Sequence, residues 1–307
     1  MISIAPITRV LTTGRFDQLS QKQRHTLLAF LFLSPGLIIW FLYRYFPLLW
    51  NTYLTFFDRS LLGEMEYVGM ANYQRVLTDD VLLVSIYNTF LFFAAVPIAI
   101  VIALGLALLL NKNIPGKDIF RGIIFVPYVT MMVAVAVIWS YMFLTVDGVL
   151  NHILLSIGVI DNPIPWLATG NWARISVMLV FIWKTVGFYM IIILAGLQTI
   201  PEQVYEVSQI DGANSYQQFR YLTLPLLKPT LGICVLIGLV SSFELFDLVM
   251  VLTRGGPGRS TEILITWVYR QAFQFGNFGY AAVLTLLLFV LMVGVIGIGR
   301  IIQQKRW

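Results

Sequence analysis

The feature that most constrains this chain is a series of long apolar segments that contain almost no charged residues. The stretches 122–146 and 271–299 contain no Asp, Glu, Lys or Arg at all. A bilayer core about 30 Å thick is crossed by roughly 20 apolar residues in an α-helix, which satisfies its own backbone amides. The pattern therefore predicts six transmembrane helices, at 27–49, 81–110, 119–144, 172–197, 229–253 and 278–302.

The composition supports a membrane protein and excludes several other classes. Hydrophobic residues make up 59% of the chain and charged residues 11%, whereas about a quarter of the residues in a soluble domain are charged. The single Cys234 excludes a disulfide framework, and His25 and His152 lack neighbours at metal-ligand spacing, so no metal site is expected. A net charge of +5 could suggest a nucleic-acid partner, but such binding needs basic residues clustered on one face. Here the basic residues are distributed among the loops, so no nucleic-acid partner is expected.

The distribution of Lys and Arg predicts the orientation, since cytoplasmic loops carry an excess of these residues. If both termini are cytoplasmic, twelve basic residues lie inside and five lie outside. The inside set is Arg9, Arg15, Lys22, Arg24, Lys112, Lys117, Arg121, Arg220, Lys228, Arg300, Lys305 and Arg306, and the outside set is Arg59, Arg75, Arg254, Arg259 and Arg270. We therefore predict an all-α polytopic membrane protein with both termini in the cytoplasm.

This topology divides the chain into a cytoplasmic tail over 1–26, a membrane domain over 27–302 and a cytoplasmic tail over 303–307. Links between packed helices are usually about 2 to 8 residues long. Two connections are longer, one at 198–228 on the cytoplasmic side and one at 254–277 on the external side. We call them the 198–228 loop and the 254–277 loop, and we expect function in both.

The 198–228 loop has the pattern of a helix, a turn and a second helix. Thr199 and Glu202 have the spacing of a capping box, which predicts a helix of two to three turns. The Asp211–Gly212 pair ends that helix, and Asn214 or Ser215 can cap a second one. Two short helices that carry aromatic and acidic residues form a knob suited to docking.

The residues of this loop resemble a known motif. Glu206-Val-Ser-x-x-Asp-Gly-Ala213, followed by Phe219, Leu224-Pro225 and Pro229, resembles the EAA loop of binding-protein-dependent ABC importer permeases. The chain departs from that motif at its two alanines, which are Val207 and Ser208 here.

Three further segments, 68–73, 183–184 and 251–262, are similar to the sugar-permease branch of that family, typified by the first permease of maltose-type and glycerol-phosphate-type systems. The similarity extends from about residue 27 to 302.

The resemblance implies a type I ABC importer permease fold and a coupling helix that inserts into a cytoplasmic ATPase. The residues that match the coupling motif or flank it are Glu206, Asp211, Gly212, Ala213, Tyr216 and Phe219. The chain has no GxxxxGK[ST] motif, so we expect it to be no enzyme, with ATP and Mg bound by the partner. The implied partners are a second permease in a heterodimer, an ABC ATPase dimer and a periplasmic or lipid-anchored solute-binding protein, in a bacterial or archaeal inner membrane.

Ionisable residues at membrane depth predict the solute path, because a charge there costs several kcal/mol unless it is paired or lines water. Glu244 and Asp247 share a helix face with Ser241, beside Phe243, and carboxylates with aromatic rings suit a sugar. The other candidates are Lys184, Asn88, Tyr128 and Trp139.

Several alternatives remain open at the level of sequence. A Lys184–Asp247 ion pair would be structural and would hold two helices together. Two carboxylates at a cavity would repel an anion, which favours a neutral oligosaccharide, glycoside or polyol over a glycerol phosphate. A secondary transporter that uses Glu244 for ion coupling, without any ATPase, is the principal alternative from another class.

Overall fold

The computed structural model describes residues 20–59, 65–112, 114–243 and 245–304, in two units that divide after Leu54. In the first unit, α1 (Gln21–Trp40), a π-helical turn (Phe41–Tyr45) and α2 (Phe46–Leu54) form one continuous helical run. Ser20 caps α1 by accepting a hydrogen bond from the backbone N–H of Gln23, so the helix begins before the predicted boundary at residue 27. Most apolar side chains of this run are exposed, as expected for a helix that faces lipid.

The second unit is almost entirely helical. It begins with two short antiparallel strands, β1 (Phe57–Asp58) and β2 (Glu66–Tyr67). Six helices follow, which are α3 (Ala71–Val76), α4 (Asp80–Phe93), α5 (Ala95–Leu110), α6 (Lys117–Val129), α7 (Met132–Met142) and α8 (Val149–Ser156). It continues with α9 (Gly170–Gln198), α10 (Glu202–Ile210), α11 (Ser215–Gln218), a π-helical turn (Phe219–Thr223), α12 (Leu224–Leu226) and α13 (Lys228–Phe243). The last elements are α14 (Phe246–Leu252), α15 (Leu264–Tyr269), a π-helical turn (Arg270–Gln274) and α16 (Phe278–Gln304).

Helix α9 forms the centre of this unit and packs along α5 and α6. Helix α5 places four fully buried alanines at intervals of four residues, which are Ala95, Ala99, Ala103 and Ala107. Small side chains at such an interval allow two helix backbones to approach closely, which is how helices associate where water provides no hydrophobic driving force. The fully buried Val177, Val180 and Ile193 of α9 belong to the same core as these alanines.

The described helices include four that are long and apolar enough to cross a membrane, or six if each of two bent pairs is one span. The four are Gln21–Leu54, Asp80–Leu110, Gly170–Gln198 and Phe278–Gly297. The bent pairs are Lys117–Val129 with Met132–Met142, at 96°, and Ser215–Leu226 with Lys228–Phe243, at 61°. The mostly helical, multi-span prediction is confirmed, whereas the orientation of the termini stays a prediction.

The third and fifth predicted spans are wrong in one respect, because neither is a continuous helix. The third is interrupted after Val129, where Thr130 adopts an extended conformation with ψ 140°. Pro127 precedes the interruption, and proline removes one helical hydrogen bond and crowds the preceding turn. The fifth is interrupted between Phe243 and Phe246. Hydropathy reports only that a segment is apolar, so it cannot locate such interruptions.

The α6–α9 contact predicts a position where even one methyl group is not tolerated. A Cβ at Gly187 would overlap the backbone carbonyl of Ile124. We expect Gly187→Ala to reduce the free energy of unfolding by about 1–3 kcal/mol, the usual cost of overpacking, measured by thermal or denaturant unfolding in detergent. Gly105→Ala is the matched control, because nothing lies within 4 Å of a Cβ there. Equal stability of the two variants would contradict this packing.

Candidate functional site

The 198–228 loop has the predicted helix, turn and helix. Helix α10 begins after Pro201, and Gly212 makes the turn with φ +80°, a conformation that glycine adopts readily. Asn214 then caps α11 through a reciprocal pair with Gln217, with N–H donors 2.9 and 2.8 Å from the side-chain oxygens. The predicted cap at Thr199 is wrong, because its hydroxyl donates to the carbonyl of Gly196 at the end of α9.

Side-chain hydrogen bonds hold the two short helices together. The Gln218 side-chain amide donates to the Ser208 hydroxyl at 2.8 Å, and that hydroxyl donates to the Tyr205 carbonyl at 2.7 Å. The Tyr205 and Thr223 hydroxyls lie 3.0 Å apart. Ser208 is one of the two departures from the EAA pattern, and the structure provides it with an acceptor and a donor. The loop is therefore a fixed knob and not a flexible connection.

The outer surface of this knob exposes both apolar and acidic side chains. Ile210 is 85% exposed and Tyr216 is 72% exposed, while Glu206 and Asp211 are also exposed. Phe219, which the sequence analysis paired with Tyr216 as an anchor, is partly buried. A depression of about 320 Å³ lies beside this surface, lined in part by Asp211, Gly212, Ala213 and Tyr221.

A second candidate region lies at the interruption between α6 and α7. The Lys184 ammonium, on the central helix α9, donates to the carbonyls of Pro127, Tyr128 and Thr130. The last carbonyls of a helix have no partners within it and carry the negative end of the helix dipole. A buried lysine therefore caps α6 from a neighbouring helix, and the predicted alternative of a Lys184–Asp247 ion pair is not what the structure shows.

The remaining candidates for the solute path fall into three places. Tyr128 stacks on Phe188 with ring centroids 4.3 Å apart, and Trp139 packs edge-on against Trp183, so both lie near the α6–α7 interruption. Ser241, Phe243 and Asp247 flank the α13–α14 interruption, where Asp247 is exposed, and Glu244 lies outside the described residues. Asn88 lies elsewhere.

Asn88 is an anchor for the 254–277 loop. Its fully buried side-chain amide donates to the carbonyls of Arg259 and Glu262, and its oxygen accepts from Arg174. Arg174 also donates to the carbonyl of Ser260 at 2.8 Å, and the buried Glu262 pairs with Arg270 at 3.0 Å. Helix α15 begins after these contacts, at Leu264. In the described part of the chain, no group of three or more His, Cys, Asp or Glu could hold a metal ion.

Comparison with known proteins decides the family. Residues 80–307 match the family described as binding-protein-dependent transport system inner membrane component. The chain belongs to this family. It is therefore a permease subunit of an ABC importer, as the 198–228 loop predicts.

Individual relatives agree with the family match over most of the chain. The permease is 37% identical to a probable ABC transporter permease protein of Pyrococcus horikoshii, over 87% of this chain and 92% of that protein. It is 35% identical to the lactose transport system permease protein LacF of Rhizobium radiobacter, over 90% and 94%. It is 31% identical to the trehalose/maltose transport system permease protein MalF of Thermococcus litoralis, over 89% and 92%.

A solved structure confirms the type I permease fold. The permease superposes on a chain of a bacterial ABC transporter involved in the import of the acidic polysaccharide alginate, with a TM-score of 0.80. The match covers 93% of this chain and 98% of that chain at 21% identity, so the similarity concerns the fold alone.

Sequence reasoning missed two residues of the permease knob. Val207 is 57% exposed, and with Ile210 it continues the apolar surface of α10. Val204, Val207 and Ile210 recur at intervals of three, which is typical of a buried stripe, so the sequence did not indicate that two of them face outward. The signal that was available for an exposed position is that the other residues of this helix are mostly polar.

Removal of the Lys184 ammonium should destabilise the permease. We expect Lys184→Met to reduce the permease's free energy of unfolding by about 1–3 kcal/mol, because three carbonyls lose their donor where water is excluded, measured by unfolding in detergent. Lys112→Met, at an exposed residue, is the control and should have no effect. A Lys184→Met permease that keeps its stability but loses uptake would indicate contact with the solute instead.

Proposed function

We propose that this permease forms the path for a carbohydrate-type solute, in an importer powered by a separate ATPase. Among its relatives are permeases named for lactose, trehalose/maltose and sulfoquinovosyl glycerol transport. Relatives of such different specificity support a carbohydrate, whether oligosaccharide, glycoside or polyol, and not one particular sugar. ATP and Mg would bind the ATPase dimer, and a second permease would complete the membrane pore.

The observation that carries the coupling role is the exposed apolar and acidic surface of the knob. Ile210, Val207 and Tyr216 are left uncovered by the rest of the second unit. Protein interfaces are typically rich in apolar and aromatic residues and have polar residues around them, and this surface exposes both kinds. The knob is fixed to α9 and α13 at its two ends, so an ATPase that moved it would move the helices that follow. We place ATPase docking here, through Glu206, Asp211, Gly212 and their apolar neighbours.

The two helix interruptions are our candidates for the solute path. Helices α6 and α13 have 13 and 16 residues, or about 20 and 24 Å at 1.5 Å per residue. If both begin at the cytoplasmic surface of a membrane that is about 40–45 Å thick with its headgroups, both end near its middle. Helices α7 and α14 follow these interruptions and pack against each other. Irregular backbone at membrane depth is tolerated only inside protein or beside a water-filled cavity, which supports a path along the α7–α14 contact.

The external partner follows from the same family. A solved alginate importer, similar in fold to this permease, is in complex with an alginate pentasaccharide-bound periplasmic protein. We propose that a solute-binding protein delivers the solute to this permease in the same manner, at the face that carries the 254–277 loop. The permease would then lie in the inner membrane of a bacterium or archaeon, with its termini in the cytoplasm.

The turn of the knob provides the test of coupling. We expect Gly212→Val to reduce both solute uptake and binding-protein-stimulated ATP hydrolysis roughly tenfold or more, because a side chain at φ +80° strains the turn by about 1–3 kcal/mol. The measurement uses the assembled importer in proteoliposomes. Gly158→Val is the matched control, since Gly158 also has positive φ and nothing within 4 Å of a Cβ.

Unchanged uptake and ATP hydrolysis in the Gly212→Val importer would refute coupling through this loop. Uptake by the permease alone, without any ATPase, would establish a secondary transporter. A thermal-shift screen of the cognate binding protein would separate the solute classes, since stabilisation by glycerol phosphates and not by neutral sugars would overturn the carbohydrate assignment.

A further inference from the structure

A cleft of about 470 Å³ opens at the opposite end of α9 from the knob. Helix α9 begins beside Ser260 of the 254–277 loop and ends at Gln198, where the 198–228 loop starts. Its 29 residues correspond to about 43 Å. The cleft lies between the turn that joins α3 to α4 and the 254–277 loop, and none of the proposed path or coupling residues line it.

One carboxylate organises this cleft. Asp79 accepts hydrogen bonds through Oδ2 from the Trp267 indole N–H at 2.8 Å and from the Tyr280 hydroxyl at 2.6 Å. Its other oxygen accepts from the backbone N–H groups of Val81 and Leu82, which caps α4. Asp79 therefore has four donors and no free lone pair that would favour a further cation, while it fixes the orientation of two aromatic rings.

An arginine side chain lies over each of those two rings. The guanidinium carbon of Arg75 lies 4.3 Å from the centroid of the Tyr280 ring, and that of Arg259 lies 5.0 Å from the Trp267 ring. A guanidinium that lies over a ring keeps its in-plane N–H groups available, and these match the two oxygens of a carboxylate. Arg75 uses one N–H on the Gln271 side chain at 3.5 Å, which leaves most of its donors unused.

The two guanidinium groups make the cleft positive. Neither Arg75 nor Arg259 forms an ion pair with a carboxylate in the part of the chain that the structure describes, and both residues are exposed. Against these two positive charges, Asp79 supplies one negative charge that four neutral donors already bind. The cleft thus attracts an anion and offers it two forked donors.

The arginine at the loop side is held in place before any partner arrives. Arg259 has φ +63°, a left-handed conformation that costs energy for a residue other than glycine. Its carbonyl accepts from the buried Asn88 amide and from the backbone N–H of Glu262. A preorganised donor loses little entropy on binding, so the energy stored in this conformation is consistent with a binding role.

We infer that this cleft receives a carboxylate side chain from the external solute-binding protein, bound between Arg75 and Arg259. The inference rests on the proposed function, since it gives the delivery partner its contact on the permease. Phe275, which is 53% exposed, also lines the cleft. Arginine and aromatic side chains together are the composition of protein interfaces, and the cleft belongs to loops outside the helix interruptions. A protein surface therefore fits it better than a solute on its way through the membrane.

The experiment titrates solute-loaded cognate binding protein onto the assembled importer in nanodiscs and measures stimulated ATP hydrolysis. We expect Arg75→Gln with Arg259→Gln to raise the half-saturating concentration of binding protein at least about tenfold, the factor for one lost charge-assisted hydrogen bond. The maximal rate and the unstimulated rate should not change. Added salt should weaken the wild-type interaction more than that of the variant, because it screens exposed charges.

Two further variants keep the result decisive. Arg59→Gln is the matched control, because Arg59 is exposed in the same outer segment but does not line the cleft. Arg259→Glu should weaken binding more than Arg259→Gln at an unchanged unstimulated rate, an order that misfolding does not produce.

Three outcomes would overturn the inference. In the first, the double variant leaves the half-saturating concentration of binding protein unchanged. In the second, Arg59→Gln raises that concentration as much as the double variant does. In the third, the double variant changes the solute concentration that the importer needs, while its affinity for solute-loaded binding protein stays constant. The last outcome would assign the cleft to an acidic group of the solute. A wild-type importer that no binding protein stimulates would instead be a failure of the proposed function.

Discussion

Backbone hydrogen bonding in the absence of water is the constraint on which the rest of this structure depends. Inside a membrane each peptide group needs a partner within the protein, and a continuous helix provides one for every residue. Helix α9 meets this requirement over 29 residues without a break. Helix α6 does not, because it ends at Val129, and the Lys184 side chain supplies the missing donors. The lysine can stay buried because three carbonyls surround its charge.

The spans could be predicted from the sequence because their signal is additive. About twenty apolar residues in succession predict a transmembrane helix whichever residues they are, and the ranges at 81–110 and 172–197 nearly coincide with described helices. The interruptions could not be predicted in this way. Thr130 leaves the helix shortly after Pro127, and Lys184, more than 50 residues away in sequence, binds the carbonyls at this break. Hydropathy has no term for such a contact, and the sequence analysis instead considered an ion pair between Lys184 and Asp247.

The candidate site was also predictable only in part, namely in its local backbone structure and not in which side chains are exposed. The helix, turn and helix of the 198–228 loop follow from local chemistry, since Gly212 and Asn214 act on their immediate neighbours. The exposure of Ile210 and the partial burial of Phe219 depend on how each short helix packs against the rest of the protein, which local sequence does not determine. Asn88 was assigned to the solute path because it is polar within an apolar segment, yet its partners are backbone groups of a loop about 170 residues later.

The two ends of the permease are connected by elements of different stiffness. A change of shape costs least where helical hydrogen bonding is already interrupted, and most where a helix is continuous and tightly packed. Helix α9 is of the second kind, with Gly187 in contact with the α6 backbone and Arg174 bound to the 254–277 loop. The α6–α7 and α13–α14 interruptions are of the first kind. Motion of the knob would therefore leave α9 intact as a frame and act at the interruptions, which are also where irregular backbone can line a water-filled path.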